Sequence, residues 1–269
     1  LHHVGPNRMW VETARRWAAL GVPTFRVDLA GIGESDGAVT GYTDVASLYV
    51  PDFVEQIRAV LDGLETKDMP SRFVLMGLCS GAYWSFQTAL DDERVSAAFM
   101  LNPRALIWDP EIEVLRHSRR LNRLLRRSAW KKLRHSRTGL TPPREIVAAI
   151  AHRAATAPRR WMTSVRTRRR ARELGGDELD LSFDLLRDRG ATGLLVFSGD
   201  EPLVQEFERE RRLARFGRWP NLRLELLIDR PETHTFRPLW LQRRVNASID
   251  DAIRAELQRA SGPVPSSAP

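Results

Sequence analysis

One cysteine in 269 residues excludes an intrachain disulfide and a cysteine-rich zinc site, and it suits a reducing compartment. No apolar stretch approaches the roughly 20 residues that a membrane-spanning helix needs. The first ten residues lack the basic-then-apolar order of a secretory signal. No cluster of His, Cys, Asp or Glu has metal-ligand spacing, so neither a metal nor a cofactor is expected. Gly31-Ile32-Gly33 follows an apolar run, but Asp36 stands where a dinucleotide-binding loop needs its third glycine. That loop therefore reads as a tight turn. Acidic residues are almost missing from one region: residues 116–172 hold 19 Lys or Arg against the single acid Glu145. Their net charge of +18 leaves −10 for the rest of a chain that totals +8.

What remains is ordinary in composition, 42% hydrophobic and 28% charged, and long enough to bury a full core. Met9 to Leu20 and Asp52 to Leu64 have helical spacing. Strand-like runs occur at Val22–Asp28, Phe73–Met76, Val95–Leu101, Gly193–Phe197 and Leu222–Ile228, and a terminal helix is expected from Leu239 to Arg259. Strands alternating with helices imply a mostly parallel α/β sheet.

Gly77-Leu78-Cys79-Ser80-Gly81 stands between an apolar strand and the helical run Ala82–Leu90. Small-x-nucleophile-x-small at that junction is the form of a nucleophile elbow, with Cys79 as its central residue and the flanking glycines easing the turn. Nucleophilic catalysis also needs a base and a group that orients it, here in the chain order nucleophile, acid, histidine. Of six histidines, only His234 follows the last strand and precedes the terminal helix; His2, His3, His117, His135 and His152 do not. Two carboxylates, Asp200 and Glu201, follow the Gly193–Phe197 strand. The shorter side chain favours Asp200, and the Pro202-Leu203-Val204 that follows favours Glu201, so both stay in consideration. Imidazole would stabilise the Cys79 thiolate, and the Ser80 N–H would donate to an oxyanion. Taking Ser80 itself as nucleophile would break the elbow spacing.

The segment from His3-Val4-Gly5-Pro6-Asn7-Arg8-Met9-Trp10 through Asp28-Leu29-Ala30-Gly31-Ile32-Gly33-Glu34-Ser35-Asp36-Gly37 resembles the α/β-hydrolases associated with exosortase systems. More distantly it resembles the serine-aminopeptidase-like hydrolases. Gly77-Leu78-Cys79, Leu101-Asn102-Pro103, Gln205-Glu206-Phe207 and His234-Thr235-Phe236 fit the same pattern, so the likeness covers about residues 1–105 and 190–240. It implies the α/β-hydrolase fold, an acyl-transfer or hydrolase activity, and an acid two residues after the glycine, which is Glu201. Relatives carry strands and a small-residue oxyanion loop ahead of this region. With Leu1 first, the strand between Val22–Asp28 and the elbow strand is expected to be absent, as is the loop carrying the second oxyanion donor.

The expected organisation is a hydrolase core at 1–107 and 186–260, a basic helical cap insert at 108–185 and a disordered tail at 261–269. Leucines and Trp130 among the arginines give residues 116–172 a basic amphipathic character suited to an anionic membrane or an acidic partner. Aromatic interleaving is too sparse to favour nucleic acid. Two functions follow from these patterns. One is an esterase-like or thioesterase-like enzyme, or acyltransferase, acting on a small-molecule or carrier-bound acyl substrate in the cytoplasm. The other is a non-catalytic protein of the same fold, tethered through its basic segment to a membrane surface.

Overall fold

The computed structural model of the chain describes residues 3–37, 45–67, 69–108, 177–199, 201–227 and 234–261. In chain order its helices and strands are α1 (Met9–Ala18), α2 (Pro51–Glu65), β1 (Phe73–Leu78), α3 (Ser80–Asp91), β2 (Val95–Leu101), α4 (Glu178–Asp188), β3 (Thr192–Ser198), α5 (Pro202–Arg209), β4 (Leu222–Leu227) and α6 (Leu239–Ala260). The strands form one parallel sheet in the order β1-β2-β3-β4. Parallel neighbours need crossovers in place of hairpins, and α3 supplies the one from β1 to β2. The α/β-hydrolase arrangement of a parallel sheet flanked by helices is therefore present.

β2 and β3 are buried along almost their whole length, which explains their unbroken apolar runs. On one face Ala97, Phe99, Leu101, Leu194 and Val196 pack against Met9 and Trp17 of α1 and Val245, Ile249 and Ile253 of α6. Elsewhere in the core Phe86 of α3, Phe183 of α4, Phe207 of α5 and Trp219 form an aromatic cluster, with Phe183 centred 5.8 Å from Phe86 and 5.1 Å from Trp219. Each fully buried ring of this kind contributes about 1.5–3 kcal/mol. Beside them Arg212 is 1% exposed. Its guanidinium donates to Asp180 at 2.8 Å and Glu210 at 2.6 Å and lies over the Phe207 ring at 5.1 Å.

The Val22–Asp28 run differs from expectation. It belongs to no strand, and Phe25 and Val27 are 54% and 47% exposed. Apolar alternation sets a strand's faces, whereas a strand also needs a neighbour within pairing distance, and β1 pairs only with β2 among the described residues. Helix ends shift slightly: α1 stops at Ala18, with Gly21 at φ 77° closing the turn, and α2 begins on Pro51, where a missing N–H costs nothing.

The chain divides into two compact units, Leu1–Leu106 with Leu179–Pro269, and Ile107–Glu178. Residues 116–172, expected to be a basic cap, lie outside the described residues, as do Asp200, Ile228 and all but the first residue of the expected tail. No described helix is long and apolar enough to cross a membrane.

Candidate active site

Between the last residue of β1 and the first of α3 stands one residue, Cys79. It adopts φ 58° and ψ −113°, a left-handed conformation that costs a non-glycine residue on the order of 1–3 kcal/mol. The strain is held by the backbone. The Cys79 N–H donates to the Leu101 carbonyl at 2.9 Å, and the Cys79 carbonyl accepts from Ala82 and Tyr83 at 3.2 and 3.3 Å. Gly77 is required by close approach, since a Cβ there would lie 2.1 Å from the Gly81 carbonyl carbon. Gly81 is not, because a Cβ there would meet nothing within 4 Å. The sharp turn thus sits on Cys79, and only the first of the two flanking glycines is sterically needed.

Strand register brings the remaining parts alongside. Leu78 lies opposite Leu101, and Leu101 opposite Val196, so β1 and β2 end at one level and β3 runs two residues further, to Ser198. After β3 the chain turns at Gly199, at φ 65°, and Glu201 stands at the N-terminal boundary of α5, just before Pro202, its side chain making no cap to the helix. The buried Glu201 carboxylate accepts from His234 Nδ1, its two oxygens lying 2.9 and 3.0 Å away. Of the two carboxylates read from the sequence, Glu201 meets the histidine, and Asp200 lies outside the described residues. His3 is engaged elsewhere, 2.7 Å from Asp28, and His2, His117, His135 and His152 lie outside the described residues.

Asn102 holds this assembly at the end of β2. It is fully buried at φ 42°, and its Nδ2 donates to the His234 carbonyl and to Ser198 Oγ, both at 2.8 Å. Its Oδ1 accepts the Ser198 N–H at 2.8 Å. One side chain therefore ties the end of β3 to the loop carrying His234. The sequence marked Leu101-Asn102-Pro103 as a motif; an asparagine breaking an apolar run at a strand end, tolerant of left-handed backbone, is the signal of its role.

Charge distribution follows from these contacts. His234 is pushed up to about 10 by its hydrogen bonds to Cys79 and to Glu201, against the opposing effect of burial. Burial pushes the Cys79 thiol up, but the His234 hydrogen bond and charge, the Ser80 N–H and the Tyr49 hydroxyl outweigh it, and the thiol lies below its ordinary value. With Nδ1 on the carboxylate, Nε2 is the nitrogen left to interact with the Cys79 sulfur. Both directions act toward a thiolate beside an imidazolium.

Tyr49 was not singled out from the sequence. It is buried, with its ring 4.9 Å from that of Tyr83. Trp84 fixes the turn before it by donating from Nε1 to the Leu48 carbonyl at 2.6 Å, and Phe53 stacks on Trp84 at 4.6 Å. A loop tyrosine carries no periodic signal, so the sequence offers little to find it by. Among the described residues no group of three or more His, Cys, Asp or Glu is placed to hold a metal ion.

A protein-family model described as the alpha/beta hydrolase family matches residues 2–255. Similar solved structures include a carboxylesterase of the ammonia-oxidizing thaumarchaeon Nitrososphaera gargenis, 15% identical over 94% of this chain and 89% of that one, with a TM-score of 0.49. Another is DcsB in complex with its substrate analogue, 17% identical over 94% of this chain and 87% of that one, with a TM-score of 0.48. Comparison with curated proteins gives no match.

Proposed function

The chain belongs to the alpha/beta hydrolase family, and we propose that it hydrolyses or transfers the acyl group of an ester or thioester through an acyl-enzyme on Cys79. The observation that carries this reading is the bond of His234 Nδ1 to Glu201, which leaves Nε2 as the nitrogen to serve the elbow residue.

In the proposed cycle the Cys79 thiolate attacks the carbonyl carbon, and the C=O electrons move to an oxyanion that accepts from the Ser80 N–H. The intermediate collapses by expelling the alkoxide or thiolate, which takes the proton of His234 Nε2. Water then attacks the acyl-thioester, its proton passes to Nε2, and the thiolate leaves again beside an imidazolium. A hydroxyl nucleophile would need its proton removed during attack. Here the ion pair precedes substrate, so His234 serves mainly as acid in the first half and base in the second. Glu201 orients the ring and stabilises its charge.

Thiolate is itself a good leaving group, so an amide adduct would return to reactants more readily than a thioester or activated ester would proceed. That chemistry places thioesters and activated esters ahead of peptides as substrates. Within the family we assign the chain to the exosortase-associated type from its Gly5-Pro6-Asn7-Arg8 and Gly77-Leu78-Cys79 motifs, with a cytoplasmic location that keeps the lone thiol reduced. The basic stretch 116–172 would belong to a cap insert and would bind a carrier-bound acyl substrate or an anionic surface.

Turnover of p-nitrophenyl acetate and an acyl thioester by the wild type, Cys79→Ala and Cys79→Ser tests the proposal. Both substrates should be consumed by the wild type and neither by Cys79→Ala. Equal turnover by Cys79→Ala would eliminate Cys79 as nucleophile.

A further inference from the structure

A buried side chain beside the elbow takes no part in the acyl-transfer cycle: Tyr49, 4% exposed and outside every helix and strand. It stands between the single helical turn Val45–Leu48 and the start of α2. Two contacts hold it against α3, the helix that begins on the residue after Cys79. Trp84 Nε1 donates to the carbonyl of the preceding residue, Leu48, at 2.6 Å. The Tyr49 ring lies 4.9 Å from that of Tyr83, whose own N–H donates to the Cys79 carbonyl at 3.3 Å. So held, the Tyr49 hydroxyl bonds the Cys79 side chain, as the Ser80 N–H does.

Both donors therefore serve the thiolate before substrate arrives, and attack moves that charge. A sulfur lone pair becomes the S–C bond, the C=O π pair moves onto the carbonyl oxygen, and the sulfur is left as a neutral thioether, a weak acceptor. The new oxyanion is two bonds from the sulfur, so a donor already on the sulfur reaches it by a small swing. The Ser80 N–H is fixed in the backbone, whereas a phenolic O–H turns about its C–O bond and follows the charge. A hydroxyl that stayed behind would be a buried donor facing a poor acceptor, and it would stabilise the thiolate more than the transition state. No proton leaves Tyr49 in this step, because the leaving group takes its proton from His234 Nε2.

Resting on the acyl-enzyme reading, we propose that the Tyr49 hydroxyl joins the Ser80 N–H as an oxyanion donor, passing from the Cys79 sulfur to the substrate's carbonyl oxygen as the S–C bond forms.

Tyr49→Phe keeps a ring against Tyr83 and removes only the hydroxyl, and two reactions of Cys79 report its effect. Acyl transfer from p-nitrophenyl acetate builds an oxyanion, while alkylation by iodoacetamide places its charge on the departing iodide. Both are followed above the alkylation midpoints of wild type and variant, where the two proteins carry equal thiolate. In Tyr49→Phe, kcat/KM for the ester should fall about 100-fold, the lower end of what one oxyanion donor supplies. The alkylation rate should not fall, since a thiolate with fewer donors is the stronger nucleophile. Ester turnover equal to wild type, or alkylation reduced by the same factor as turnover, would overturn the proposal. Cys79→Ala run beside them separates the two claims. Turnover lost in Cys79→Ala but kept in Tyr49→Phe removes the role of Tyr49 alone, whereas turnover kept in Cys79→Ala removes the acyl-enzyme and this role with it.

Discussion

Replacing His234 by alanine should move the ionisation of Cys79 in a direction that the contacts determine. In the wild type the proton stays on the imidazole up to about pH 10, and the neighbouring Cys79 thiol lies below its ordinary value. Removing the ring removes the two largest influences that lower the thiol and leaves burial, which raises it. An ordinary thiol is ionised to about 3% at pH 7, so the variant's thiolate population should fall below that share. Absolute alkylation rate understates this change, because a thiolate of lower pKa is also a weaker nucleophile. The midpoint of iodoacetamide alkylation against pH avoids the difficulty. It should lie below that of a free cysteine in the wild type and above it in His234→Ala. Glu201→Gln should fall between the two, because the ring remains while its charge loses support. Coincident midpoints for wild type and His234→Ala would refute the ion-pair account.

Other expectations follow from single contacts. For the wild type, kcat/KM for an ester should rise as the thiol ionises, at a pH below that of a free cysteine, and fall near pH 10, where the imidazolium loses the proton owed to the leaving group. Asn102→Ala should cost about 2–3 kcal/mol in urea unfolding, because it strands the buried Ser198 N–H and frees the His234 loop. Its kcat should fall more than its KM changes. Gly77→Ala should prevent folding or lower the melting temperature sharply, while Gly81→Ala should be tolerated, read by circular dichroism. Arg212→Ala should destabilise by about 3 kcal/mol, the lower end of the range for breaking a buried pair, since Asp180 keeps Arg215 at 2.8 Å. Tyr49→Phe should raise the Cys79 alkylation midpoint without unfolding the protein.

Legibility in the sequence tracked how local each feature is. The elbow needs five adjacent residues between a strand and a helix, and its spacing alone gave Cys79. His234 came from order along the chain, because it follows the last strand of a topology whose connections are regular. The acid stayed divided between Asp200 and Glu201, since adjacent residues share every positional argument. The Gly199 turn and the capping position before Pro202 bring Glu201 to the ring. Val22–Asp28 has the composition of a strand, but pairing depends on a neighbour far away in the chain, which composition does not encode. Tyr49 and the links of Asn102 across β2, β3 and the His234 loop are likewise products of tertiary contact. Arg212, in turn, reads as a surface charge until Asp180 and Phe207 meet it.

The most direct test is mass spectrometry of the intact and digested protein, quenched in acid during turnover of p-nitrophenyl acetate. One acetyl group should be found as a thioester on the peptide containing Cys79, at a level that falls once substrate is exhausted. Acetyl on Ser80, or full turnover with Cys79 never labelled, would contradict the account.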